Sequence, residues 1–112
     1  MRLISLLVTL LIFSGTCVAQ AAYKLETVAE GLNFPWSIAF LPSGGYLVAM
    51  RSGEVRRIST NGDVSEPITG LPDSYVMSQG GYFDITLDPN FVSNQRVYLS
   101  FAHGTADANA TR

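Results

Sequence analysis

Two parts of this sequence repeat each other, and that limits the architectures open to it. Ser37-Ile38-Ala39-Phe40-Leu41-Pro42 answers to Asp84-Ile85-Thr86-Leu87-Asp88-Pro89, 47 positions further on. Tyr46-Leu47-Val48-Ala49-Met50 answers to Val97-Tyr98-Leu99-Ser100-Phe101, 51 positions further on, so the second copy carries four extra residues. Each copy consists of short apolar or alternating runs bounded by turn residues, which is the pattern of strands. A period in the forties with short strands in each unit is how a β-propeller blade reads in sequence. An antiparallel sandwich spaces its strands similarly, so periodicity alone leaves both architectures open.

Within the first copy, Trp36, Ile38 and Phe40 alternate with Ser37, Ala39 and Leu41. This predicts a strand whose apolar face carries Trp36 into the core. Pro42 to Gly45 reads as a turn, and Tyr46 to Met50 as a strand buried on both faces. Glu54 to Thr60 follows as a third strand, where Val55-Arg56-Arg57-Ile58 breaks alternation and predicts a bulge or strong twist. Asn61-Gly62 predicts a type I′ hairpin, and Val64 to Thr69 a fourth strand, at an edge because Pro67 has no N–H to give a ladder. After a loop from Gly70 to Gly81, Tyr82 to Asp88 sets Phe83, Ile85 and Leu87 against Tyr82, Asp84 and Thr86. Arg96 to Ala102 then places Val97, Leu99 and Phe101 on one face. No helical period of convincing length follows the amino terminus. The expectation is one blade, Phe34 to Leu71, and half of a second, without a closing strand in Ala108 to Arg112. One blade cannot bury both its faces, so this reading makes the 112 residues an amino-terminal fragment of a larger ring.

The first 21 residues read differently. Met1-Arg2 is followed by the apolar run Leu3 to Phe13 and by Ala19-Gln20-Ala21, the layout of a secretory signal peptide cleaved after Ala21. Cys17 lacks the flanking residues of a lipidated cysteine, and its loss with the leader would leave residues 22–112 without a cysteine. An exported domain of that kind is held by burial and not by crosslinks. It would be periplasmic or secreted, with no stable membrane span after cleavage. A net charge of −2, with no basic patch, argues against nucleic acid as a partner.

The residues able to carry chemistry are few. Gln79-Gly80-Gly81 opens the second copy; the glycines allow close approach of backbone, and Gln79 offers a neutral amide that both donates and accepts. In a propeller such a loop faces the central channel, where ligands bind. A tight turn with a solvated glutamine is the plainer reading. His103 ends a strand with no partner that would make it a base. Arg51, Arg56 and Arg57 read as solvated charges around Glu54, and Asp84 as a carboxylate that either lines the channel side or satisfies neighbouring backbone amides, with no catalytic role. Asn109-Ala110-Thr111 fits a glycosylation sequon, a motif too short to assign a role. No G-x-G-x-x-G, Walker loop or zinc-spaced His/Cys cluster occurs.

The run GLNFPWSIAFLPSGGYLVAMRSGEVRRI, followed by SQGGYFDITLDPNF and RVYLSF, resembles the amino-terminal part of the soluble sugar dehydrogenases that use pyrroloquinoline quinone. This is the glucose/sorbosone dehydrogenase family, in its aldose sugar dehydrogenase branch. The likeness runs from Val28 to Phe101 and is most specific at Pro35-Trp36 and at Gln79-Gly80-Gly81. It implies a six-bladed propeller that oxidises aldose sugars at the anomeric carbon to lactones, with calcium assisting and an external electron acceptor. Gln79 matches a pocket glutamine that hydrogen-bonds substrate or cofactor. The family's catalytic histidine, cofactor-holding cations and calcium ligands match no residue of this sequence, His103 included. A non-catalytic secreted propeller that binds a partner, or another propeller enzyme such as a metal-dependent lactonase, would look alike over these residues.

Overall fold

The computed structural model describes residues 22–112; the signal-peptide reading of residues 1–21, with Cys17, lies outside them. Six strands and one short helix follow in order: β1 (Pro35–Phe40), β2 (Tyr46–Met50), β3 (Glu54–Ile58), β4 (Tyr82–Leu87), α1 (Phe91–Asn94), β5 (Val97–Gly104) and β6 (Asn109–Thr111). They make two antiparallel three-stranded sheets, β1-β2-β3 and β4-β5-β6, each a simple meander. The second sheet is therefore more complete than expected. Ala102, His103 and Gly104 pair with Thr111, Ala110 and Asn109, so the polar tail supplies a third strand and the sequon is part of it. Backbone pairing and a bond from the Asn109 amide to the Thr105 carbonyl hold it there, with no apolar side chain buried, which is why no apolar signal marks it.

Both sheets carry a bulge at the same place in the repeat. Pro35 pairs with Met50 and Ser37 with Ala49, which leaves Trp36 as the extra residue. Tyr82 pairs with Phe101 and Ile85 with Leu99, so Phe83 and Asp84 share the space opposite Ser100. One extra residue turns every side chain before it onto the other face. This corrects the alternation read from sequence: Tyr82, not Phe83, joins Ile85 on the buried face. Trp36 stands 52% exposed instead of in the core, and Ile38 and Phe40 beyond the bulge are exposed with it, because the whole of that apolar stripe is open. The bulge expected at Val55 to Ile58 is absent, since β3 pairs with β2 in unbroken register.

Packing of one sheet on the other makes the main core. Ala39, Leu47, Ala49 and Val55 of the first sheet bury against Tyr82 and Ile85 of the second, with Leu87, Leu99 and Phe101 around them. Full burial of a side chain such as Leu47, Val55 or Ile85 contributes roughly 1.5–3 kcal/mol. Ser37 Oγ reaches across to Asp84 Oδ1 at 2.6 Å and accepts the Ile85 N–H at 3.1 Å. On its other face the first sheet buries Val48, Met50 and Ile58 under Ala29 and Leu32.

Three connections differ from expectation. The loop after β3 spans Thr60-Asn61-Gly62 between Ser59 and Asp63, whose N–H···O bond is 2.9 Å, and only Gly62 has positive φ. That is a three-residue loop with a left-handed glycine, not the two-residue type I′ turn. The fourth strand reduces to a bridge from Ile58 to Val64, with Ser65 and Ile68 each donating once to β3. Pro67 interrupts it, as its missing N–H requires. The four-residue insertion forms the single turn α1, ended by Gln95 in the left-handed region.

Candidate functional site

The amino-terminal ends of β1 and β4 and the carboxyl-terminal ends of β2 and β5 meet at one end of the two sheets. Each sheet closes there with the same backbone bond. Arg51 N–H donates to the Phe34 carbonyl at 3.0 Å, and Ala102 N–H donates to the Gly81 carbonyl at 2.9 Å. Phe34 and Gly81 stand 47 positions apart, and Arg51 and Ala102 stand 51 apart, so the repeat holds into the site. Phe34 and Gly81 both have positive φ, 55° and 147°. Glycine adopts this freely, whereas a bulky residue there stores on the order of 1–3 kcal/mol of strain.

Before Gly81 the chain turns at Met77-Ser78-Gln79-Gly80. Gly80 N–H donates to the Met77 carbonyl at 2.7 Å, and Ser78 has a positive φ of 53°. The loop that carries this turn is tied to the second sheet: Tyr75 N–H and Ser74 Oγ both donate to the Ala102 carbonyl, at 2.8 and 3.1 Å. Tyr82 Oη donates to the Pro72 carbonyl at 2.5 Å. Burial, with the nearby Asp73 charge, raises the Tyr82 pKa, which keeps its hydroxyl a donor. The pair Gly80-Gly81 now has a cause. A Cβ on Gly81 would lie 1.8 Å from the Arg51 carbonyl oxygen, and one on Gly80 would lie 2.6 Å from that of Tyr75. A side chain on Gly81 would push the turn off the first sheet, and one on Gly80 would force apart the loop that carries it.

Gln79 itself is exposed at the tip of this turn. Among the described residues no hydrogen bond holds its amide, so donor and acceptor are both open to a ligand. Arg51 lies beside it, its guanidinium donating to the Ser78 carbonyl and resting over the Phe34 ring at 4.5 Å. Sequence reading grouped Arg51 with the solvated charges and so missed this. The only signals were its place directly after β2 and the unusual Phe34-Pro35 before β1. Arg56 is the charge that does pair with Glu54, at 3.1 Å. His103 sits on exposed β5 with its ring edge-on to Phe101 at 6.2 Å. Asp84 serves as a structural acceptor for Ser37. Among the described residues no group of three His, Cys, Asp or Glu could hold a metal ion, and no helix is long and apolar enough to cross a membrane.

The sequence model of the Glucose / Sorbosone dehydrogenase family matches residues 32–112, which takes in both closing bonds and the Gln79 turn. The chain belongs to that family. It is 35% identical over 98 residues to the aldose sugar dehydrogenase YliI of Escherichia coli, covering 87% of this chain and 26% of that protein. The crystal structure of the soluble aldose sugar dehydrogenase of E. coli, in its apo form, superposes with a TM-score of 0.72 at 35% identity, over 77% of this chain and 25% of that one. The PQQ-bound aldose sugar dehydrogenase of Streptomyces coelicolor superposes with a TM-score of 0.58 at 33% identity, over 78% and 26%. This chain thus spans about a quarter of the length of the relatives it matches. The two sheets are successive blades of the family's β-propeller, which decides between the architectures left open by periodicity.

Proposed function

We propose that the whole protein is an exported quinoprotein that oxidises aldose sugars at the anomeric carbon to lactones, with calcium and an external electron acceptor. The carrying observation is the Gln79 turn: an amide without a partner among the described residues, on a turn tied to the second sheet, inside the segment that matches the family. Such an amide suits both a polyhydroxylated sugar and an acidic quinone, because it donates and accepts without adding charge. When bound, the quinone would take up the hydride that leaves the anomeric carbon. This chain's part is to bind and orient. Gln79 would hydrogen-bond a hydroxyl or quinone oxygen, and Gly80-Gly81 would hold that amide at a fixed distance from the first sheet. The hydroxyl proton would go to a base outside the residues described. Residues 1–21 would direct export, to the periplasm or the medium.

The test uses the whole protein supplied with pyrroloquinoline quinone and calcium. It should reduce an artificial dye when given aldoses and lose that activity without the quinone. Gln79→Ala should lower kcat/KM by about tenfold, the scale of one pocket hydrogen bond, with no change in melting temperature. Dye reduction that ignores the quinone would refute the cofactor assignment. Unchanged kcat/KM in Gln79→Ala would return Gln79 to a solvated turn.

A further inference from the structure

We propose that Arg51 is a positioning residue, a guanidinium strut that sets the orientation of the Gln79 amide; the proposal rests on the reading of Gln79 as a pocket residue. Ser78 and Gln79 share one peptide group. By donating to the Ser78 carbonyl, Arg51 fixes the plane of that peptide and with it the direction in which Gln79 leaves the turn.

The repeat supplies an internal control. The position of Arg51 in the second sheet is occupied by Ala102, and the same backbone bond forms there at 2.9 Å with a methyl side chain. Closing a sheet at this end therefore needs no guanidinium. Its presence in the first sheet alone, beside the turn that only the second sheet carries, points to a task beyond the fold.

Strain points the same way. Among the described residues three non-glycine residues have positive φ: Phe34, Ser78 and Gln95. Gln95 ends the turn of α1, a local helix cap. The other two both meet Arg51. Its N–H holds the Phe34 carbonyl, its guanidinium lies over the Phe34 ring, and the same guanidinium takes the Ser78 carbonyl. Ser52 Oγ adds a bond to the Asn33 carbonyl at 3.3 Å, next to Phe34. Strained conformations persist only where the surroundings over-determine them, and here one side chain does so for both. A planar guanidinium can stack on a ring and donate in its own plane at once; an ammonium cannot. Among the described residues Arg51 also has no carboxylate partner, so no ion pair explains it.

The experiment uses the whole quinone-loaded protein and four variants: Arg51→Ala, Arg51→Lys, Gln79→Ala and the Arg51→Ala/Gln79→Ala double variant. Arg51→Ala should lower kcat/KM by up to about tenfold, in the same division between kcat and KM as Gln79→Ala, and the double variant should be no worse than Gln79→Ala alone. Arg51→Lys should not restore activity. Independently of turnover, hydrogen exchange at the Gly80 amide should quicken in Arg51→Ala while amides of β2 and β4 keep their protection. Multiplied losses in the double variant, or full rescue by lysine, would overturn the strut and make Arg51 a separate charge contact. Unchanged Gly80 exchange would overturn it as well. If Gln79→Ala retains full activity while Gly80 exchange still responds to Arg51→Ala, the strut stands and the pocket reading of Gln79 falls.

Discussion

Ile38 and Ile85 occupy the same position in two copies of one repeat, yet Ile38 is 49% exposed and Ile85 only 4%. Nothing in their strands explains this. Ile38 pairs with Val48, and Ile85 with Leu99, each just past a bulge. The difference lies in the neighbour. The second sheet turns Tyr82, Ile85 and Leu87 onto the back of the first, against Ala39, Leu47 and Ala49. Among the described residues, the matching face of the first sheet, with Ile38 and Phe40, has only the segment from Glu26 to Leu32 near it. Burial in a repeat protein is thus a property of adjacent pairs, not of units. The far face of the second sheet makes the converse case: Thr86 and Tyr98 are exposed there, and their polarity suits a surface less demanding than the Ile85 face.

The largest effect should come from isolating the pair. Residues 22–112 expressed alone should give no cooperative melt, because one sheet–sheet interface must then offset the ordering of both sheets while two faces stay in water. A sharp two-state transition from a soluble monomer would break the argument that neighbours make these units stable. The same contrast can be read in the whole protein. Ile85→Ala should cost roughly 2–5 kcal/mol. An equal cost for Ile38→Ala would mean that another sheet covers Ile38 as the first sheet covers Ile85. A cost under about 1 kcal/mol would leave Ile38 on a true surface.

Next in size is the exchange of side chains at the two closing positions. Gly81→Ala puts a methyl 1.8 Å from the Arg51 carbonyl at a φ of 147°, and the obstacle is backbone that cannot step aside. Destabilisation of about 3 kcal/mol or more is expected in a chemical-denaturation series, with the sheets pushed apart at this end. The equivalent change in the first unit, Phe34→Gly, should be near neutral. It relieves a strained φ of 55° and removes the ring under Arg51, two effects of similar size and opposite sign. Equal losses at both positions would show that the two closures are alike after all.

Much of this is legible in the sequence alone. Offsets of 47 and 51 between the copies place the strands of both sheets, and they extend unannounced to Phe34 with Gly81 and Arg51 with Ala102. Faces were legible only up to the bulges. A single extra residue at Trp36, or at Phe83-Asp84, leaves no mark in composition, yet it reverses which of Tyr82 and Phe83 is buried. Strand β6 escaped notice because Asn109-Ala110-Thr111 pairs through backbone alone. Gln79 and its glycines stood out in sequence, since Gly-Gly beside an amide is a local feature. Arg51 did not, because its partners Phe34 and Ser78 lie 17 and 27 positions away and no local pattern joins them.

The smallest effect expected separates the two first-to-second-strand connections of the copies. In the first, Leu41 N–H donates to the Gly45 carbonyl at 3.0 Å; in the second, Asp88 N–H donates to Arg96 at 3.0 Å. Gly44 N–H to the Leu41 carbonyl and Phe91 N–H to the Asp88 carbonyl, both 2.9 Å, continue the match. The first connection relies on glycines with positive φ, 89° at Gly44 and 80° at Gly45. The longer one is organised instead by a carboxylate. Asp88 accepts the Asn90 N–H at 2.8 Å and the Tyr98 hydroxyl at 2.8 Å. Those bonds, with one from Asn94, favour the charged form and hold the Asp88 pKa below its ordinary 3.8, while the same contact raises that of Tyr98. A depressed carboxyl pKa contributes stability above its unfolded value and loses it as pH falls through the folded value. The window therefore opens near 3.8 and extends downward. Acidification through it should lower the exchange protection of the Asn90 and Asp88 amides relative to those of Gly44 and Leu41, whose connection, Leu41 to Gly45, holds no titrating side chain. Asp88→Asn should remove the pH dependence, and Tyr98→Phe should reduce it. The carboxylate is exposed, so solvent screens these bonds and the effect stays local, without a shift in the global melt. Parallel loss at both connections would mean that acid acts on the sheets and not on Asp88.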